Sequence, residues 1–247
     1  MNIQLYLTSS PAGQYREWGK QNYKGLNPLN DLAGEMKKDW REDAACLLIA
    51  AFPDEYERND AMAAGQARDF QDSGLPVSRF DVCDGRNGAE ITARLSEYDV
   101  LVLSGGHVPT ENAFLQKIGL KERLRDFDGI VMGISAGTMN CAETVYAMPE
   151  EEGESRFTDA QRYIPGLGLT HCNVIPHFQA IQDDRVDGLH VIEDILLPDS
   201  MGHVFYALPD GSYILQRDGE AVVHGEAYRI KDGEICQICK TGETKKL

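Results

Sequence analysis

Gly133-Ile134-Ser135-Ala136-Gly137 follows the apolar run Gly129-Ile130-Val131-Met132 and leads straight into Thr138-Met139-Asn140-Cys141-Ala142. A strand signal, a small-residue turn and a helix-compatible stretch in that order form the layout of a nucleophile elbow. A serine on so sharp a turn projects its hydroxyl above the sheet, and flanking glycines let strand and helix approach without a Cβ clash. Ser135 is therefore the candidate nucleophile, and the elbow predicts an unfavourable φ/ψ combination there.

An activated serine needs a base, an orienting carboxylate and two donors for an oxyanion. Leu101-Val102-Leu103-Ser104-Gly105-Gly106-His107 is a strand running into a diglycine turn, which exposes backbone N–H groups. Gly106 N–H, with Ala136 N–H directly after the nucleophile, is the candidate oxyanion hole. Asn173-Val174-Ile175-Pro176-His177-Phe178 delivers His177 at a strand end, where open α/β sheets build their sites. His171 begins the same run and belongs at the opposite edge, and His190, His203 and His224 sit in helix or hairpin contexts without a partner motif. His107, beside the diglycine turn, can line the substrate pocket or compete as base. Among 40 acidic residues, Asp210 stands out because Phe205-Tyr206-Ala207-Leu208-Pro209-Asp210-Gly211 places it just after a strand. Glu150 is the replacement candidate if Asp210 lies elsewhere.

The surrounding chain alternates short apolar runs with amphipathic segments, which predicts a parallel sheet covered by helices. Strands are expected at 3–7, 46–51, 77–82, 100–103, 130–132 and 173–175, with helices at 60–71, 89–96, 111–125 and 136–143. A further helix is expected over 186–196. Close-set strands follow at 203–208, 213–216, 221–224, 227–230 and 234–238, with Arg217-Asp218-Gly219 and Lys231-Asp232-Gly233 as hairpin turns. Gly13 to Trp40 carries Trp18, Tyr23, Leu26, Leu29, Leu32 and Met36 at roughly helical spacing around Pro28, which predicts a broken helix. The whole of 1–247 is expected to be one domain, monomeric or homodimeric.

Composition excludes several classes of partner. A formal charge of −16 with no basic stripe argues against nucleic acid and anionic membranes. The longest apolar stretch, Ala44 to Phe52, is too short to span a bilayer, and Met1-Asn2-Ile3-Gln4 lacks a basic start, so a cytoplasmic location is expected. Six scattered cysteines read as reduced thiols, Cys236-Gln237-Ile238-Cys239 as a strand feature rather than a zinc site. The acidic run Glu150-Glu151-Glu152-Gly153-Glu154 reads as a solvated loop.

Gly-Gly-His at 105–107, Gly-Ile-Ser-Ala-Gly at 133–137, Pro-His-Phe at 176–178 and Leu-Pro-Asp-Gly at 208–211 together resemble the ordered motifs of the peptidase E and cyanophycinase family. The resemblance runs from Leu7-Thr8-Ser9-Ser10 to the terminal hairpins. It implies a class I glutamine-amidotransferase-like fold with flavodoxin-like layering, helices on both faces of a mostly parallel sheet, and antiparallel hairpins at the C-terminal end. It also implies a Ser-His-acid triad, carried over onto Ser135, His177 and Asp210, with a short peptide as substrate and no metal or organic cofactor. Two positions depart from the family: its Leu-Pro-Glu-Gly carries Asp210 here, and its Gly-Gly-Asn-Thr becomes Gly105-Gly106-His107-Val108-Pro109-Thr110. The second change reshapes the pocket wall and predicts weak or absent preference for an amino-terminal aspartate. Arg185, eight residues after His177, is the candidate for a substrate carboxylate. Ser135 Oγ is expected about 2.6 to 3.5 Å from one ring nitrogen of His177, with Asp210 facing the other. The alternative is a non-catalytic sensor or binding module on the same fold.

Overall fold

Five of the apolar runs pair as parallel strands in the computed structural model, which describes residues 2–12 and 24–247. They are β1 (Asn2–Thr8), β2 (Ala44–Ile49), β3 (Val77–Cys83), β4 (Val100–Leu103) and β5 (Asp128–Ile134), in the spatial order β1-β5-β4-β2-β3. Side chains alternate between the faces of a strand, and both faces here are apolar. Leu5, Leu7, Leu47, Ile49, Leu101, Leu103 and Val131 enter one core with Phe114 and Leu115. Their neighbours Tyr6, Cys46, Leu48, Val100, Val102, Ile130 and Met132 enter another with Met36 and Phe70. The helices that cover these faces include α1 (Leu32–Lys37), α2 (Tyr56–Asp72), α3 (Gly88–Thr92), α4 (Val108–Lys117), α5 (Leu120–Arg123) and α6 (Ala136–Asn140).

Short strands follow: β6 (Thr144–Tyr146) pairs with β7 (Tyr163–Pro165), then come β8 (Asn173–Ile175), β9 (Arg185–Val186) and β10 (Leu189–His190). The last third supplies β11 (Val204–Ala207), β12 (Tyr213–Arg217), β13 (Glu220–His224), β14 (Ala227–Lys231), β15 (Glu234–Cys239) and β16 (Thr244–Lys246). The two expected hairpins go to different sheets. β12 joins β1 antiparallel and extends the main sheet through β13 to β16, whereas β15-β14-β11-β8 forms a second sheet of four strands. Both turns have positive φ at two successive residues, 52° and 80° at Asp218-Gly219 and 51° and 80° at Asp232-Gly233. That is the twist a tight hairpin requires.

Three expectations are corrected. The helix over 186–196 starts instead as the β9–β10 hairpin, because Asp187-Gly188 takes φ values of 54° and 84°; only Val191–Leu196 is wound, as a π-helical turn. The helix over 111–125 breaks at Gly119, φ 63°, between α4 and α5. In the segment around Pro28 only α1 is helical; residues 13–23, with Trp18 and Tyr23, lie outside the described residues. All six cysteines are free, and all but Cys236 are buried. Among the described residues no helix is long and apolar enough to cross a membrane.

Candidate active site

β5 ends at Ile134, and Ser135 turns the chain with φ 52° and ψ −112°, well outside the regions open to an ordinary L-residue. The strain is held by close packing. A Cβ on Gly133 would lie 2.6 Å from Thr138 N, and one on Gly137 would lie 2.3 Å from Leu103 O. Thr138 Oγ1 donates to Thr8 O at 2.7 Å and Thr8 Oγ1 donates to Gly133 O at 2.6 Å, which ties the elbow to the end of β1.

Register brings the remaining groups to this elbow. β1 and β5 are parallel with Thr8 opposite Ile134, so Ser9 and Ser135 leave adjacent strand ends together. β8 and β11 are parallel with Ile175 opposite Ala207, which carries His177 and Asp210 past the edge side by side. His177 Nε2 stands 2.8 Å from Ser135 Oγ, and Nδ1 stands 2.7 Å from Asp210 Oδ1. The carboxylate beside Nδ1 assigns the proton there and leaves Nε2 to accept from the serine hydroxyl. The Asp210 side chain is 1% exposed and that of His177 is 10% exposed. Asp210 therefore reaches the imidazole although it is one methylene shorter than glutamate.

Two supporting residues were not singled out as site residues in the sequence. Ser9 Oγ accepts from His177 N–H at 2.7 Å and donates to Asp210 Oδ1 at 2.7 Å. Gln179 Nε2 donates to Asp210 Oδ2 at 2.7 Å, while its Oε1 accepts from Asp210 N–H at 3.0 Å. The only local signal for Ser9 is its place after an apolar strand, and Gln179 has none beyond closeness to His177. His177 itself has φ 56°, a second strained position in the same cluster.

The diglycine turn after β4 lies against the elbow. A Cβ on Gly105 would touch Ser135 Cβ at 3.4 Å, and one on Gly106 would strike Ala51 Cβ at 2.5 Å and Phe52 Cε2 at 2.7 Å. No group among the described residues takes up the N–H of Gly106 or of Ala136.

Residues 52–224 match the family model of peptidase family S51. The chain belongs to that family. Two solved structures share its fold: a peptidase from an acI-B1 Actinobacterium, at 18% identity and a TM-score of 0.63, with 100% of this chain and 98% of that one covered; and a protein of Listeria monocytogenes EGD-e designated a peptidase E, at 15% identity and a TM-score of 0.58, with 90% and 97% covered. No curated protein sequence matches this chain.

The loop beside the diglycine turn is built differently from a solvated acidic loop. Glu154 is 6% exposed, which corrects the expectation for that residue. Its Oε1 lies 2.8 Å from His107 Nε2, and its Oε2 accepts from the N–H groups of Glu150 at 2.8 Å and Glu151 at 2.9 Å. Burial works against the charge, yet those N–H groups and the His107 ring hold the Glu154 carboxyl below its ordinary range. His107 Nδ1 is engaged by Thr110 Oγ1 at 2.7 Å, so the ring is locked at both nitrogens beside the diglycine turn. The other side of the loop is held by Asp187, which accepts from Gly153 N–H at 2.8 Å and Ser155 N–H at 3.2 Å. Glu150, Glu151 and Glu152 remain exposed. Arg185, on the same β9–β10 hairpin, donates to Gly188 O at 3.0 Å and contacts His190 Nε2. Elsewhere His203 stacks on Tyr163 and His224 on Tyr213, while His171 is exposed beside Glu143.

Proposed function

We propose that the protein is a serine peptidase that hydrolyses short peptides or a related amide, with Ser135 as nucleophile, His177 as general base and acid, and Asp210 as the orienting carboxylate. The observation that carries this reading is the relay from Ser135 Oγ through His177 to Asp210, at 2.8 and 2.7 Å, around a strained serine. Membership of a peptidase family supports the hydrolase class.

In the proposed cycle His177 Nε2 takes the hydroxyl proton as Ser135 Oγ bonds to the scissile carbonyl carbon. The carbonyl π electrons move onto oxygen, where the N–H groups of Gly106 and Ala136 stabilise the charge. Collapse breaks the C–N bond, and His177 returns the proton to the leaving amine. Water then repeats the sequence on the acyl-serine and releases the acid. Asp210 keeps its charge throughout and stabilises the imidazolium. Ser9 and Gln179 fix that carboxylate, so the ring has one orientation to work from.

Substrate charge is set by the rim. His107 stands where the family has a small amide, and its bond to Glu154 brings an acidic loop against the oxyanion turn. The exposed Glu151 and Glu152 there disfavour an anionic amino-terminal residue, over a range of about 8 Å at physiological ionic strength. Arg185 is the proposed partner of a substrate carboxylate, and reaching one would cost it its bonds within the hairpin. The test is kcat/KM for Asp-Leu, Ala-Leu and Arg-Leu. Equal or better turnover of the last two is expected; a preference for Asp-Leu of about a hundredfold, near 2.7 kcal/mol, would overturn the substrate assignment.

A further inference from the structure

The buried groups between α4 and α6 take no part in the chemistry above, yet they lie directly behind both oxyanion donors. Asn140 closes α6, four residues after Ala136, and Val108 opens α4, two residues after Gly106. Asn140 Nδ2 donates to Val108 O at 3.2 Å and to Glu111 Oε2 at 3.0 Å. Its Oδ1 accepts from Asn112 Nδ2 at 2.9 Å. One fully buried amide is thus bonded by every polar atom of its side chain to the helix that starts at the oxyanion turn.

Glu111 is the unusual member of this joint. It is 0% exposed, and its Oε1 has no hydrogen-bond partner among the described residues. A carboxylate in such surroundings, with one neutral donor and no cation, is strongly disfavoured, which favours the protonated carboxyl. Burial pushes its pKa up to about 8, opposed only by the Asn140 amide. Cys141, just past α6, is the titratable group that faces it, its own thiol raised by burial first and by Glu111 second. Among the described residues no charged side chain from another element acts on Glu111.

We propose that Glu111 and Asn140 are positioning residues for the oxyanion hole: the neutral carboxyl and the amide lock α4 to α6 and fix the spacing of the Gly106 and Ala136 N–H groups. The proposal rests on the acyl-transfer reading given above. A charge on Glu111 would sit in a buried joint whose one donor to it is neutral, and hydrating it requires the two helices to part. Reactions that need both donors then slow as Glu111 ionises, while His177 and Asp210, carried by the ends of β8 and β11, keep their pairing.

The test is the rate constant for inactivation by diisopropyl fluorophosphate, followed by intact mass from about pH 6 to pH 10, with thermal melts to report folding. The phosphoryl oxygen of the reagent uses the same donors as a peptide oxyanion. The wild-type rate should fall above about pH 8. Glu111→Gln, which keeps an acceptor for Asn140 and cannot ionise, should hold its plateau to the alkaline end. Asn140→Asp, which removes both donors, should lose about a hundredfold at neutral pH. An alkaline fall in E111Q identical to that of the wild type, or an N140D rate within about threefold of it, would overturn the proposal; if N140D does not fold, the E111Q profile decides alone. A wild-type protein that takes no label at Ser135 sinks the acyl-transfer reading, and the proposal with it. A labelled wild type with unaltered variants sinks the proposal alone.

Discussion

Ser9 Oγ lies 2.7 Å from Asp210 Oδ1, across 201 residues of sequence, and the same oxygen accepts the backbone N–H of His177. One hydroxyl at the end of β1 therefore holds both the carboxylate and the main chain of the histidine. Ser9→Ala removes both the donor to a charged carboxylate and the acceptor of the His177 N–H. Hydrogen bonds of this kind are worth about 1.5–3 kcal/mol. A fall in kcat/KM of roughly ten- to a hundredfold is expected with a small change in Tm, measured on whichever dipeptide the wild type turns over best.

Asp210→Asn should keep the geometry and lose the chemistry. An amide can donate to Nδ1 and so favour the tautomer with its proton on Nε2, which then cannot accept from Ser135. A drop in kcat of about 10⁴ is expected, with KM nearly unchanged. Wild-type kcat in this variant would show that the carboxylate is not the orienting group.

Gly106→Ala probes the diglycine turn. Its new Cβ would meet Ala51 Cβ at 2.5 Å and Phe52 Cε2 at 2.7 Å, which moves the N–H away from the elbow. Loss of the proposed oxyanion donor should cost roughly 10²-fold in kcat. Overpacking adds a stability loss of about 1–3 kcal/mol, separable by a melt.

Two glutamates should give opposite pH dependence of stability. Glu154 is held below its ordinary value of 4.5, so its contribution is present above that pH and is lost as pH falls through the depressed value. The stability gap between wild type and Glu154→Gln should accordingly be widest at neutral pH and close in acid. Glu111 is raised from 4.5 to about 8, so the folded state keeps a proton that the unfolded state has released. Stability from this group is complete below 4.5 and declines up to about pH 8, by about 3 kcal/mol between pH 4.5 and 7. Urea titrations of E111Q against wild type should show the smaller decline in the variant; equal slopes would assign Glu111 an ordinary carboxyl.

Elements whose signals are local were readable from the sequence. Val100–Leu103 is a continuous apolar run followed by Ser104 and a diglycine, Val174-Ile175 is closed by Pro176, and the strand ends they define carry Gly106 and His177. The β9–β10 hairpin was not readable, because apolar residues from Val186 to Leu196 at helical spacing outweigh a single Asp187-Gly188 pair. Pairings remote in sequence were hidden for a different reason. Glu154 looks solvated beside Glu150, Glu151 and Glu152, and only the fold brings it to His107, 47 residues earlier. Ser9 is 168 residues from His177, and its role depends on the register of β1 against β5, which no local pattern states.

Fluorophosphonate labelling with site mapping tests the central claim most directly. The wild-type protein should gain the mass of one phosphonyl group, mapped to Ser135, with Ser135→Ala unlabelled and His177→Ala labelled at least about 10³-fold more slowly. Equal labelling of Ser135→Ala, or peptide hydrolysis by that variant at the wild-type rate, would contradict the account.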